Sequence, residues 1–205
     1  MTRVKICGIT NLDDALAAVE FGGDAIGFVF VPNTPRYIEP AKAAEIIARL
    51  PPFVTTVGLF VNDSKERIKQ IADQCKLSVL QLHGQESPDF CLQFDRKVIK
   101  AFRVKDKESL DALPKYNVSA YLLDTYVKGA MGGTGVTFDW SLASDAKKYG
   151  LVILAGGLNP ENVAKAIQQV HPYGVDVSSG VEAEPGKKDH SKLKDFIEAA
   201  RNANF

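Results

Sequence analysis

Short β-branched or apolar runs recur along the whole chain, each closed by a turn signal. They are Val4 to Ile9, Ala25 to Val31, Thr55 to Val61, Val79 to His83, Val98 to Val104, Ala120 to Thr125, Val152 to Gly156 and Gly174 to Ser178, and their length and composition predict eight strands. Between most of them, apolar residues fall three and four apart. Leu12, Ala15, Leu16 and Val19 do so, as do Ala43, Ile46, Ile47 and Leu50, and again Ile68, Ile71, Ala72 and Cys75. That spacing places side chains on one helical face. Strand and helix therefore alternate without a long linker or a break in composition. The pattern predicts an α/β fold, a closed single-domain (β/α)8 TIM barrel over residues 1–205. The alternative is an open doubly wound sheet, which more often has about five or six strands and one glycine-rich first turn.

Three helix starts are marked by side chains that accept bonds from free first-turn amides. These are Asn11 before Leu12, Ser64 before Lys65, and Asn159 with Pro160 in the first helical position. With 205 residues, 45% of them hydrophobic, the chain is long and apolar enough for a substantial core. Its 25 basic and 25 acidic side chains cancel. No global field then gathers nucleic acid or an anionic membrane, and an anionic ligand must be held by local groups. The expected partner is a small molecule.

Cys7, Cys75 and Cys91 are odd in number, with no CxxC and no histidine at a zinc-finger interval. This points to a reducing compartment and to no metal site. The first apolar run, about six residues long, is short for a secretory leader and far below the ~18 needed to cross a membrane. A cytoplasmic location is expected. The sequence sets no oligomeric state.

In a barrel, function gathers at the C-terminal ends of the strands and in the loops that follow. There stand Cys7-Gly8, Pro35-Arg36, Asn62-Asp63, His83-Gly84, Arg103, Asp124, Gly156-Gly157 and Ser178-Ser179-Gly180. Three late loops carry glycine and hydroxyl clusters: Gly132 to Gly135 after the sixth strand, Gly156-Gly157 after the seventh, and Ser178 to Gly180 after the eighth. A single glycine pair is as readily a plain turn. Three clusters in these loops point to phosphate, held by Gly133, Gly135, Gly156, Gly157, Ser179 and Gly180, with a short helix near Ser179 adding its positive end.

Cys7 ends the first strand and Asp124 the sixth, so the two can face each other across the mouth. A thiolate there takes a proton from carbon and a carboxylic acid gives one to oxygen, provided their surroundings bring both toward the working pH. Each type also has a structural use, cysteine as a small buried hydrophobe and aspartate as a helix cap. Arg36 follows two prolines in Pro32-Asn33-Thr34-Pro35. A guanidinium on a stiff loop is suited to gripping a carboxylate through two parallel hydrogen bonds, though a solvated surface arginine reads the same way. His83 ends the fourth strand and is a further site candidate, whereas His171 and His190 sit near helix termini and read as structural. Strand alternation turns Lys5 the same way as Cys7, and Asp176 the same way as Ser178. Both charges are expected to point into the barrel and to offset each other.

Six blocks together resemble one family. They are Lys5 to Thr10, FVPNTPR from Phe30 to Arg36, Gln81 to Gly84, GGTGVTFDW from Gly132 to Trp140, LAGGLNPENV from Leu154 to Val163, and DVSSGVE from Asp176 to Glu182. In order and spacing, from residue 4 to about 200, they resemble the phosphoribosylanthranilate isomerases. The visible departure is Thr34, where serine is expected in many relatives. The resemblance implies an Amadori rearrangement in tryptophan biosynthesis: N-(5-phosphoribosyl)anthranilate becomes 1-(2-carboxyphenylamino)-1-deoxyribulose 5-phosphate without metal or organic cofactor. It also implies that Cys7 is the general base, Asp124 the general acid, Arg36 the holder of the anthranilate carboxylate, and Asp176 a neighbour of the substrate's amine. Two rivals stand beside it. A sister isomerase of histidine biosynthesis performs the same chemistry but resembles a family with aspartate in place of Cys7. A noncatalytic sugar-phosphate-binding barrel would have no use for both an acid and a base.

Overall fold

The computed structural model describes residues 1–125 and 140–203, and each expected strand is found within them. The strands are β1 (Arg3–Cys7), β2 (Ala25–Val29), β3 (Thr55–Phe60), β4 (Val79–Leu82), β5 (Lys97–Val104), β6 (Ala120–Thr125), β7 (Val152–Leu154) and β8 (Gly174–Val177). Each pairs in parallel with the next, and β8 returns to pair with β1, closing the barrel in sequence order. Most strands stop a residue or two before their apolar run does. Ile9, Val31, His83 and Ser178 all lie beyond the ladder, in the loops that build the mouth.

Strands of such a barrel are covered on both sides, and two apolar clusters result. Val57, Val79, Ile99, Leu122 and Ile153 fill the interior with Ala101, Ala120 and Ala155. Outward-facing Val4, Ile6, Phe28, Leu80 and Leu82 pack against the helices. The helices are α1 (Leu12–Glu20), α2 (Pro40–Ile47), α3 (Lys65–Cys75), α4 (Pro88–Cys91), α5 (Ser141–Ala146), α6 (Val163–Val170) and α7 (His190–Asn202). Asn11 caps α1 by accepting from the Asp14 amide, and Ser64 caps α3 by accepting from that of Arg67. Among the described residues, no helix is long and apolar enough to cross a membrane.

The sequence pattern is departed from in three places. Asn159 does cap a turn, with Oδ1 accepting from the amides of Glu161 and Asn162, both at 3.0 Å, but α6 begins only at Val163. The Asn162 side chain folds back onto the Asn159 amide and the Gly157 carbonyl, which holds the turn ahead of the helix. Between β5 and β6, two 3₁₀ turns replace a helix, the first closed by reciprocal bonds between Asp106 and Ser109. After β8, a 3₁₀ turn at Ser179–Val181 leads into an antiparallel hairpin of β9 (Glu182–Glu184) and β10 (Lys187–Lys188) that the apolar pattern gave no sign of.

Inside the barrel, Lys5 on β1 stands in register with Asp176 on β8, and Lys5 Nζ donates to Asp176 Oδ1 at 2.8 Å with both side chains buried. The expected internal pair is present. Burial opposes the lysine's charge, but Asp176 and the neighbouring Cys7 outweigh it and hold its pKa above the ordinary lysine value. Gly27 on β2 makes room for this arrangement, because a Cβ there would stand 2.9 Å from Cys7 Sγ and 3.1 Å from Lys5 Cε. Replacing Lys5 by Met leaves a buried carboxylate without its partner, so urea titration should show a loss of ~3–5 kcal/mol, most of it recovered in Lys5→Met/Asp176→Leu. A single-variant loss below ~1 kcal/mol would contradict this assignment.

Candidate active site

Cys7 is the last residue of β1, and its buried side chain lines a cavity at the C-terminal mouth of the barrel. Burial raises the thiol's pKa above the ordinary cysteine value; Lys5 pulls against this and Asp176 adds to it. The buried thiol therefore has a cation beside it that lowers the cost of forming a thiolate. Asp176 lines the same cavity. Its carboxyl is pushed up by burial, with Lys5 as the principal opposing influence.

Asp124, near the end of β6, and His83, the residue after β4, also line the cavity. His83 Nε2 lies 3.3 Å from Asp124 Oδ2. That is a close electrostatic contact and not an aligned hydrogen bond, since among the described residues Nε2 has no hydrogen-bond partner. His83 Nδ1 lies 3.1 Å from the side-chain nitrogen Nε2 of Gln81, fully buried two residues earlier on β4. With that nitrogen as donor, Nδ1 accepts and the ring hydrogen sits on Nε2, toward Asp124. Gln81, to which the sequence assigned no role of its own, thereby sets the imidazole's orientation.

The loops after β7 and β8 form another part of the cavity wall, including Gly156, Gly157, Ser179 and Gly180. Gly156 and Gly157 have φ of 80° and 68°, a consecutive left-handed pair that side chains resist. A Cβ on Gly180 would overlap the Leu158 carbonyl oxygen, so the two loops pack main chain against main chain. Ser178 Oγ is buried without a hydrogen-bond partner among the described residues, which leaves it available to an oxyanion. The other two expected phosphate residues, Gly133 and Gly135, lie outside the described residues.

Arg36 lines the cavity too. Its Nε and Nη2 donate to the two carboxylate oxygens of Glu182 at 2.8 and 2.7 Å. The guanidinium is thus already in a bidentate pair, which the sequence did not foretell.

Residues 4–199 match the family model for N-(5'-phosphoribosyl)anthranilate isomerase. The chain belongs to that family. A curated isomerase of this name from Geotalea uraniireducens is 57% identical, the alignment covering 98% of this chain and 99% of the relative. The crystal structure of the Thermotoga maritima isomerase superposes with a TM-score of 0.92 at 49% identity, covering 98% of this chain and 99% of that one. A phosphoribosylanthranilate isomerase in complex with reduced 1-(o-carboxyphenylamino)-1-deoxyribulose 5-phosphate matches at 47% identity with a TM-score of 0.88, covering 98% and 99%. The reaction implied by the resemblance, the Amadori isomerisation of tryptophan biosynthesis, is the reaction of this isomerase family.

Within this isomerase, each expected site residue that is described lies on the one cavity. The sequence missed the residues that hold them. On the far side of β4, Lys100 and Glu86 form a buried pair at 3.1 Å. Glu86 accepts from the amides of Asn62 and Gly84, while Lys100 donates to the carbonyls of Leu82, Gly84 and Ala101, which pins the loop that follows His83. Among the described residues, no three His, Cys, Asp or Glu side chains are grouped to hold a metal ion. Because burial lifts the Cys7 thiol, its alkylation by iodoacetamide, followed by peptide mass mapping, should keep accelerating beyond pH 9. A plateau already reached by about pH 8 would mean a stabilised thiolate and contradict this electrostatic picture.

Proposed function

We propose that Cys7 is the general base and Asp124 the general acid of the Amadori rearrangement, with Arg36 on the anthranilate carboxylate and the loops after β7 and β8 on the phosphate. The observation that carries this reading is the convergence of thiol, carboxyl, guanidinium and glycine loops on one cavity.

As a carboxylic acid, Asp124 protonates the furanose ring oxygen; the C1'–O bond breaks while the anilino nitrogen's lone pair forms the iminium. The thiolate of Cys7 takes the proton from C2', and the released electron pair makes the C1'=C2' double bond as nitrogen regains its lone pair. The enol hydroxyl at C2' then loses its proton to become the ketone and C1' gains one, so the acid and base return to their starting states. The work of the protein is placement and proton transfer. Lys5, beside Cys7, favours the thiolate as it forms. Asp176 accepts from Lys5 at Oδ1, and among the described residues Oδ2 is left to accept from the substrate's amine. His83 orients the Asp124 carboxyl.

We further place residues 1–205 in one barrel domain that works in the cytoplasm on this small phosphoribosyl substrate, without nucleic acid, membrane or cofactor. Three free thiols and a net charge of zero support that placement.

Purified protein should quench the fluorescence of phosphoribosylanthranilate generated in situ; no loss above background would remove the activity. Cys7→Ser keeps the shape but supplies a far poorer base, so kcat should fall at least ~10²-fold with KM little changed, and Asp124→Asn should lose a similar factor. Wild-type turnover in folded Cys7→Ser would exclude the thiol as base. Inorganic phosphate should compete with substrate, and absence of competition at high concentration would count against the loop assignment.

A further inference from the structure

Glu182 received no role from the sequence, yet four donors converge on its buried carboxylate. Oε1 accepts from Arg36 Nε at 2.8 Å, from Lys188 Nζ at 3.0 Å and from the Gly186 amide at 3.4 Å, while Oε2 accepts from Arg36 Nη2 at 2.7 Å. Burial alone would raise this carboxyl, but Arg36 and Lys188 more than offset it and hold it below the ordinary glutamate range.

A guanidinium has two edges able to make paired hydrogen bonds with a carboxylate, one through Nε and Nη2, the other through Nη1 and Nη2. Glu182 takes the first. Among the described residues nothing takes the second, which remains for another carboxylate, and an arginine already fixed along one edge has little rotamer freedom left to lose when it binds. Glu182 on its own would repel an incoming anion. Burial pulls the pKa of the wholly buried Lys188 below the ordinary lysine value and Glu182 opposes that fall; with Lys188 protonated at this 3.0 Å contact, Arg36, Glu182 and Lys188 sum to one positive charge. Lys188 also donates to the Ser178 carbonyl at 3.1 Å, a bond to the loop after β8 that does not pass through Glu182.

We infer that Glu182 is a positioning residue for the substrate's aryl carboxylate: it acts through Arg36, locking the guanidinium with its free edge toward the cavity, while Lys188 cancels its charge. The inference rests on the reading of Arg36 as the carboxylate holder. It assigns recognition of the anthranilate end to a pair formed between residues 146 positions apart.

The test is steady-state kinetics on Glu182→Gln, Arg36→Met and the double variant, with thermal unfolding to confirm folding and the phosphate inhibition constant as an internal control. Glutamine has about the same volume but keeps only one of the two acceptor oxygens and turns a donor NH2 toward the other guanidinium nitrogen. KM should rise about ten-fold in Glu182→Gln, with kcat within about three-fold and phosphate inhibition unchanged. Because Glu182 acts through Arg36, adding Glu182→Gln to Arg36→Met should raise KM no further. A merely structural role would instead weaken phosphate binding as well and add its effect in both backgrounds; either result overturns the inference, as does an unchanged KM in Glu182→Gln. A wild-type KM in Arg36→Met removes the carboxylate holder itself. An elevated KM in Arg36→Met beside a normal one in Glu182→Gln removes only the positioning role. Should Glu182→Gln fail to fold, Glu182→Asp, which withdraws the carboxylate by one methylene, faces the same comparison.

Discussion

Where β8 meets β1 and the barrel closes, an ammonium and a carboxylate face each other at 2.8 Å inside the sheet. Neither charge is tolerable there alone, because the desolvation of a single buried ion costs several kcal/mol that only a well-placed partner offsets. The site stands on this pair. Cys7 is two residues beyond Lys5 and Ser178 two beyond Asp176, so strand alternation turns both toward the mouth directly above the paired charges. The same ammonium that satisfies Asp176 is the cation that opposes the effect of burial on the Cys7 thiol.

A second use of paired charge lies in the loops. Strand ends fix where a side chain begins, but Arg36, His83 and Ser178 sit beyond the hydrogen-bonded ladder. Each is steadied by a buried pair: Lys100 with Glu86 behind the His83 loop, and Glu182 with Arg36 and Lys188 between the loops after β2 and β8. Such pairs contribute little net stability relative to apolar packing, yet breaking one strands the other. Their value here is geometric. Chemistry that depends on placing an acid and a base against one sugar requires walls that do not drift.

The sequence made the frame legible because the frame is local. Apolar runs and helical spacing marked each barrel strand, Asn11 and Ser64 marked helix starts, and alternation alone turned Lys5 and Asp176 inward. Cys7, Asp124 and His83 could be named because they stand at or near the ends of apolar runs. Glu182 and Lys188 could not, because they belong to a hairpin of three and two residues, EAE and KK, without alternating apolar character. Their partner Arg36 is joined to them only by barrel closure. The 3₁₀ turns after β5 were hidden for a different reason: the Asp106 cap looks like a helix start, and Pro114 then lies in the second turn. Gln81 read as one more strand residue, and its contact with His83 depends on the inward face they share.

On the proposed roles, this mouth holds an elongated substrate in one direction, phosphate on the loops after β7 and β8, carboxylate on Arg36, and the reacting carbons between Cys7 and Asp124. A crystal structure with the unreactive reduced aminoalditol phosphate tests it most directly. The account predicts phosphate oxygens on the amides around Gly157 and Ser179, the aryl carboxylate on the Nη1 and Nη2 edge of Arg36 with Glu182 still on the other, and C2' within reach of Cys7 Sγ. A reversed ligand, with phosphate on Arg36 and the aryl ring against Gly157, or one whose C2' lies away from Cys7, would contradict it.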